Sequence, residues 1–133
     1  MQSPVQIVSE DLRGAQSLAR GLAILSAFSQ DRREFSVREL AARIGVSRPT
    51  AYRLAKTLEH SGFLMFNSRN RAYRIGPTAF AVGNLFLPAS FSDAVEEILE
   101  ELRTATTHTV QLAMFHGGEL LLVAAKESLN LAR

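Results

Sequence analysis

Between Ser36 and Gly62 the chain carries two helix starts, two helix stops and one tight turn, which leaves it little choice of fold. Ser36 stands three residues before Glu39, the spacing of a capping box, in which hydroxyl and carboxylate each satisfy a backbone N–H at the helix start. Phe35 and Leu40 occupy the positions of a hydrophobic staple around it. The helix is predicted to run through Leu40, Ala41 and Ile44 and to stop at Gly45, which takes a left-handed turn at least cost. Ser47 caps the next helix almost at once, and Pro49 is tolerated in its first turn, where a missing N–H costs nothing. That helix continues through Leu54 and Leu58 to Gly62. Ala41, Gly45 and Ala51 suit a helix-turn-helix: a small residue where helices cross, a Gly in the turn and an apolar tie to the core.

The flanking segments extend this unit. Residues 1–14 are polar, with Pro4 and Gly14, and predict a flexible arm. Leu18, Leu22, Leu25 and Phe28 form one stripe, flanked by Ala19 and Ala23, and predict an amphipathic helix over 15–30. After Gly62, two β-prone runs, 63–66 and 72–75, flank a polar Ser68–Asn70 turn and predict a hairpin. Residues 77–87 are very apolar and predict a connecting helix with Gly83 as a soft spot and Pro88 as its end. A further helix is expected from Asp93, capped by Ser92, with Val95, Ile98, Leu99 and Leu102 on one face. Asp93, Glu96 and Glu97 would then lie in its first turn, where the helix dipole favours acids. Finally Val110, Leu112 and Met114 alternate along a strand over 109–115, and 119–125 returns after a His-Gly-Gly turn. The predicted fold class is mainly α with small β. A winged helix-turn-helix over 15–76 is followed by a linker helix over 77–91 and an incomplete α/β second domain over 92–133.

Charge divides along the same line. Residues 1–76 hold 12 Lys and Arg against 6 Asp and Glu, whereas 77–133 hold 3 against 7. Such a split is expected when only one part approaches a polyanion. The chain has no Cys, which excludes a disulfide framework and a thiolate metal site and fits a reducing compartment. It opens on no secretion signal and holds no run of about 18 apolar residues, so no membrane partner is expected and a cytoplasmic location is.

The exposed face of the second helix carries the chemistry. With Ala51, Leu54 and Leu58 inward, helical stepping turns Pro49, Tyr52, Arg53, Lys56 and His60 outward, with Arg48 on the flank. Arg48 and Arg53 suit guanine edges in a major groove; Tyr52 and Lys56 suit phosphates. Ser47 and Thr50 at the helix start, and Ser36 at the preceding one, are further candidate phosphate contacts. Arg69, Asn70 and Arg71 cluster at the hairpin tip with Arg74 behind them, where a wing meets a minor groove. A basic helix and a basic hairpin at this separation point to double-stranded DNA as partner. A winged helix used only for dimerisation or protein contact is the alternative, but it would present apolar residues on this face. The stripe Phe80, Val82, Leu85, Phe86 and Leu87 is apolar on all sides and predicts a dimer contact.

Other chemistries find little footing. His60, His108 and His116 lack metal-ligand spacing, so no metal, cofactor or enzymatic activity is expected. Gly117-Gly118 reads as a hairpin turn rather than a phosphate cradle, and Glu96, Glu97, Glu100 and Glu101 as a solvated helix face.

The stretch Ser17–Leu25, with Leu40-Ala41, Gly45-Val46-Ser47, Arg53-Leu54, Leu58 and Gly62-Phe63-Leu64, resembles the IclR-type transcription regulators. Tyr73–Pro77 is similar to the way that family's wing ends before its linker helix. Val110–Ala113 and the hairpin to Glu127-Ser128 look like the opening of its effector-binding domain. The resemblance implies a cytoplasmic regulator, a homodimer often assembling to a tetramer, that reads palindromic promoter DNA under control of a small metabolite. It places recognition at Ser47, Arg48, Pro49, Thr50, Tyr52 and Arg53 and the wing at Arg69 to Arg71. Members run to roughly 250 residues, within the usual one-to-two-domain range. The effector pocket is therefore expected to be incomplete in this chain, which would not bind the effector, and no effector residue is assigned.

Overall fold

The computed structural model describes residues 15–129, so the arm expected over 1–14 lies outside the described residues. Contacts divide the chain into two compact units, one ending at Asn84 and the other starting at Leu85.

The first unit opens with α1 (Gln16–Ala27), whose buried residues are Gly21, Ile24 and Ala27. This corrects the stripe expected from the sequence: Leu25 and Phe28 pack against the core, but Leu18 and Leu22 are 65% and 46% exposed. Hydrophobicity marks which residues want cover, not which partner covers them. The cover here comes from α2 (Val37–Ile44) and α3 (Arg48–His60), which meet α1 on the Gly21–Ile24–Ala27 side. Both α2 caps form as the sequence reading expects. The Ser36 hydroxyl accepts from the Glu39 N–H at 3.1 Å while the Glu39 carboxylate accepts from the Ser36 N–H at 2.8 Å. The backbone and hydroxyl of Ser36, with Arg32 in support, hold the Glu39 carboxyl below the usual carboxylate range. Gly45 ends α2 at φ 73°, and its N–H and that of Val46 both bond the Ala41 carbonyl at 3.0 Å.

The wing is β1 (Leu64–Asn67) paired antiparallel with β2 (Ala72–Ile75), from Leu64↔Ile75 to Asn67↔Ala72. Phe35 adds a one-residue third strand by exchanging backbone bonds of 2.7 and 3.0 Å with Tyr73. Phe35 thus staples α2 and anchors the wing in one position. The core consists of Ile24, Ala27, Phe35, Leu40, Ala55, Leu64 and Tyr73. Phe28 meets Phe35 edge-on at 5.0 Å between ring centroids.

The linker helix expected over 77–91 is not continuous. A short α4 (Pro77–Gly83) ends with the Asn84 N–H on the Phe80 carbonyl, and the next helix, α5 (Ala89–Thr106), starts after Pro88. Pro88 has no N–H to give the Asn84 carbonyl, its ring would strike that carbonyl, and it drives Leu87 out of helical geometry; Gly83 weakens the turn before it. Helix α5 also begins earlier than Ser92. The N–H groups of Phe91 and Ser92 both reach the Pro88 carbonyl at 3.0 Å, so Ser92 lies inside the first turn and caps nothing. The acids Asp93, Glu96 and Glu97 consequently fall beyond that first turn.

In the second unit α5 accompanies β3 (Val110–His116) and β4 (Glu119–Lys126), an antiparallel pair with an irregularity between Leu112 and Ala113. Gly117 and Gly118, at φ 57° and 79°, make the two-residue turn, in which both positions need positive φ. Leu99 is buried, while Phe115 and Leu120 on the hairpin are three-quarters exposed.

Candidate nucleic-acid interface

Helix α3 divides cleanly into an inner and an outer side. Ala51 and Ala55 are fully buried and Leu54 and Leu58 pack against the core. Ala55 extends the inward set expected from the sequence. Arg48, Pro49, Tyr52, Arg53, Lys56 and His60 are exposed. The start of the helix is more occupied than its sequence implies. Ser47 accepts from the Thr50 N–H at 3.3 Å and donates its own proton to the Thr50 hydroxyl at 2.9 Å. Pro49 has no N–H and that of Ala51 goes to the Ser47 carbonyl. A phosphate gripped here would meet the Arg48 N–H and the Thr50 hydroxyl proton, rather than a ring of free amides and two free hydroxyls.

A concavity of about 530 Å³ joins three elements on this side. The start of α2 contributes Ser36, Val37 and Arg38; α3 contributes Arg48, Tyr52 and Lys56; the wing contributes Phe66, Arg71 and Tyr73. The structure therefore gathers Ser36, Arg48, Tyr52, Lys56 and Arg71 of the expected set. Arg53 and Arg69 are exposed but lie outside it. Sequence reasoning missed Arg38, whose only local signal is a cation two residues after a capping serine. It also missed Tyr73, whose ring packs at 4.9 Å from that of Phe66 and whose phenol burial pushes upward in pKa.

Two candidates have partners within the unit. The Lys56 ammonium bonds Glu59 at 3.2 Å, which raises its pKa and keeps it charged. Asn70 does not present a free amide at the wing tip, because its Nδ2 donates to Glu34 at 2.6 Å. Of the four acids between residues 15 and 84, Glu34, Glu39 and Glu59 are engaged in this way, Glu39 with Arg32. Only Asp31 adds its charge without a bonded partner shown, against eleven Arg and Lys. The unit is cationic because its acids are few, and two of the four, Glu39 and Glu59, are paired with cations.

The same unit also leaves apolar surface uncovered. Leu18 and Leu22 on α1 and Phe80 and Val82 on α4 are all 46% exposed or more. Among the described residues no helix is long and apolar enough to cross a membrane.

The IclR helix-turn-helix domain matches residues 17–68 of the sequence. Residues 17–68 are thus an IclR helix-turn-helix domain, the kind found in the IclR-type transcription regulators. It is 27% identical over 122 residues to the HTH-type transcriptional repressor AllR of Salmonella typhi, covering 91% of this chain and 45% of that protein. It is 32% identical over 100 residues to the transcriptional repressor IclR of Escherichia coli K12, covering 74% of this chain and 36% of the repressor. Among solved structures, an IclR regulator from a Silicibacter species superposes with a TM-score of 0.75 at 28% identity, over 88% of this chain and 46% of that one. The chain thus spans a little under half the length of the curated relatives it matches. The mainly helical fold with small β-sheets agrees with the fold class expected from the sequence. The family consists of regulators rather than enzymes.

Proposed function

We propose that this chain binds duplex DNA sequence-specifically as a two-fold dimer reading a palindromic promoter site. The observation that carries the reading is the convergence of Arg38, Arg48, Lys56 and Arg71, from three separate elements, on one concave face. Convergence of like charges is unfavourable unless a polyanion occupies the face. In the dimer the two α3 helices enter successive major grooves about 34 Å apart. Arg48 and Arg53 read bases; Tyr52, Lys56, Thr50, Ser47 and Ser36 hold phosphates; Arg69 and Arg71 extend the contact at the wing. Pro49 sets the helix start against the groove without hydrogen bonds of its own. Leu18 and Leu22 of α1 and the apolar residues of α4 carry the dimer, which removes them from water at about 25 cal/mol per Å².

The DNA-binding domain runs from residue 15 to the end of the wing at 76, α4 and the turn after it form the connection, and residues from 92 onward open an effector-binding domain. A small-molecule effector and further assembly to a tetramer belong to the full-length family. The proposed location is the cytoplasm. The competing reading, a winged helix serving only protein contact, has no use for a concave cationic face.

Two substitutions separate base reading from charge neutralisation. Arg53→Ala should cost about 1–3 kcal/mol on the preferred site and relax sequence preference. Arg71→Ala should weaken all duplexes alike and reduce the salt slope by about one. Binding isotherms on specific and scrambled duplexes at several salt concentrations measure both, and parent-like behaviour of both variants would contradict the docking.

A further inference from the structure

The wing tip contains an arginine where the backbone asks for glycine. Ser68 to Arg71 form the loop between the last strand pair, Asn67↔Ala72, and the Arg69 N–H bonds the Asn67 side chain at 2.9 Å to open the turn. Arg71 closes the loop at φ 54°, in the left-handed region that favours Gly and Asn. A residue held there needs surroundings that over-determine it. Two contacts supply them, both from the segment before α2. On β2, one strand pair below the loop, Phe35 bridges Tyr73 through two backbone bonds of 2.7 and 3.0 Å. At the tip, the Asn70 amide donates to Glu34, the preceding residue, at 2.6 Å across 36 positions of sequence. A hairpin held beside its loop and again within it cannot swing about its base, and Arg71 then lies in the concavity with Arg48, Tyr52 and Lys56.

Glu34 is otherwise out of place. It puts a negative charge beside the wing of a basic unit, where it repels phosphate. We propose that Glu34 is a positioning residue for DNA binding: through Asn70 it fixes the wing tip so that Arg71 faces the recognition helix. This inference rests on the DNA-binding reading above, and it makes Asn70 a structural link to the α1–α2 loop rather than a reader of DNA.

The test exploits a conflict of signs. Removing an acid from a DNA-binding face strengthens binding if the acid is only a charge, and weakens it if the acid positions a cation. Glu34→Gln keeps an acceptor oxygen for Asn70 and loses the charge; Glu34→Ala loses both. Measured by fluorescence anisotropy on duplex DNA, Glu34→Gln should bind more tightly than the parent. Glu34→Ala should bind about three- to ten-fold more weakly, the scale of one charge-assisted contact. Asn70→Ala, which loses the clamp and keeps the acid's charge, should bind at least as weakly as Glu34→Ala, and the double variant should match Glu34→Ala, as for two ends of one interaction. Equal strengthening by Gln and Ala at position 34, or multiplication of the two alanine effects, would overturn the proposal. A second readout needs no DNA: exchange of the Tyr73 amide, which bonds the Phe35 carbonyl at 2.7 Å beside Glu34, should accelerate in Glu34→Ala and stay slow in Glu34→Gln. Failure of the parent chain to bind DNA would strike the DNA reading alone, whereas unchanged Tyr73 exchange in Glu34→Ala would strike the clamp itself.

Discussion

Phe35→Ala is expected to lower the stability of the first unit by about 3–5 kcal/mol, the usual cost of deleting a buried phenyl ring. Phe35 is 1% exposed and sits where α1, α2 and the wing meet. Its ring receives the edge of Phe28 and carries the Arg32 guanidinium at 4.3 Å, while its backbone is the third strand of the wing. Alanine keeps the backbone bridge but empties the space that the ring fills between Phe28, Tyr73 and the rest of the core. A small domain has only about 5–15 kcal/mol in all, so a loss of this size takes up much of its margin. Urea unfolding followed by circular dichroism measures it, with Phe66→Ala as the comparison. Phe66 is 39% exposed, and its truncation should cost clearly less. Equal midpoints for the two variants would contradict the placement of the core.

Gly76→Ala is the second large effect, and its cause is steric. Gly76 has φ −96° and ψ 170°, which any residue adopts, so backbone preference does not explain it. A Cβ there would lie 2.4 Å from the Gly62 carbonyl oxygen and 3.1 Å from two backbone carbons, those of Gly62 and Leu64. Those atoms are backbone and already bound: Gly76 donates to Phe63 at 2.8 Å, and Thr78 donates to Gly62 at 3.0 Å. Relief requires parting the end of β2 from the end of α3. We expect a loss of about 2–3 kcal/mol, at the upper end of overpacking costs, together with weaker DNA binding as wing and recognition helix separate. Gly83→Ala is the control, because a Cβ there meets open space. It should leave the melting temperature within a few degrees of the parent, the shift that about 0.5 kcal/mol produces in a domain this small. Similar melting temperatures for the two variants would show that the strand–helix junction tolerates a side chain.

What the sequence revealed follows the reach of its signals. Capping residues act within four positions, so Ser36 with Glu39, Gly45 and Ser47 announced α2, the turn and α3 directly. The hairpins announced themselves through turn residues of the same short range. The buried face of α1 is not legible in this way, because Leu18 and Leu22 are the larger apolar residues, while the contact with α2 and α3 selects Gly21, Ile24 and Ala27. The break at Asn84–Pro88 is half visible: Pro88 marks a helix end, yet its effect begins four residues earlier, at the carbonyl it cannot bond. At the candidate interface the cations of α3 and the wing were legible as exposed residues on a periodic face. Their partners were not. The Phe35–Tyr73 bridge, the Glu34–Asn70 bond and the joining of Arg38 to the same concavity all connect positions far apart in the chain, which no local pattern encodes.

The reading as a whole depends on one measurement: fluorescence anisotropy of the chain on duplex DNA, with salt raised from about 50 to 200 mM. If the concave face of Arg38, Arg48, Lys56 and Arg71 takes up phosphates, affinity falls steeply and linearly on a logarithmic scale, with a slope equal to several released counterions. Negligible binding, or binding that does not change with salt, would contradict DNA as the occupant of this face.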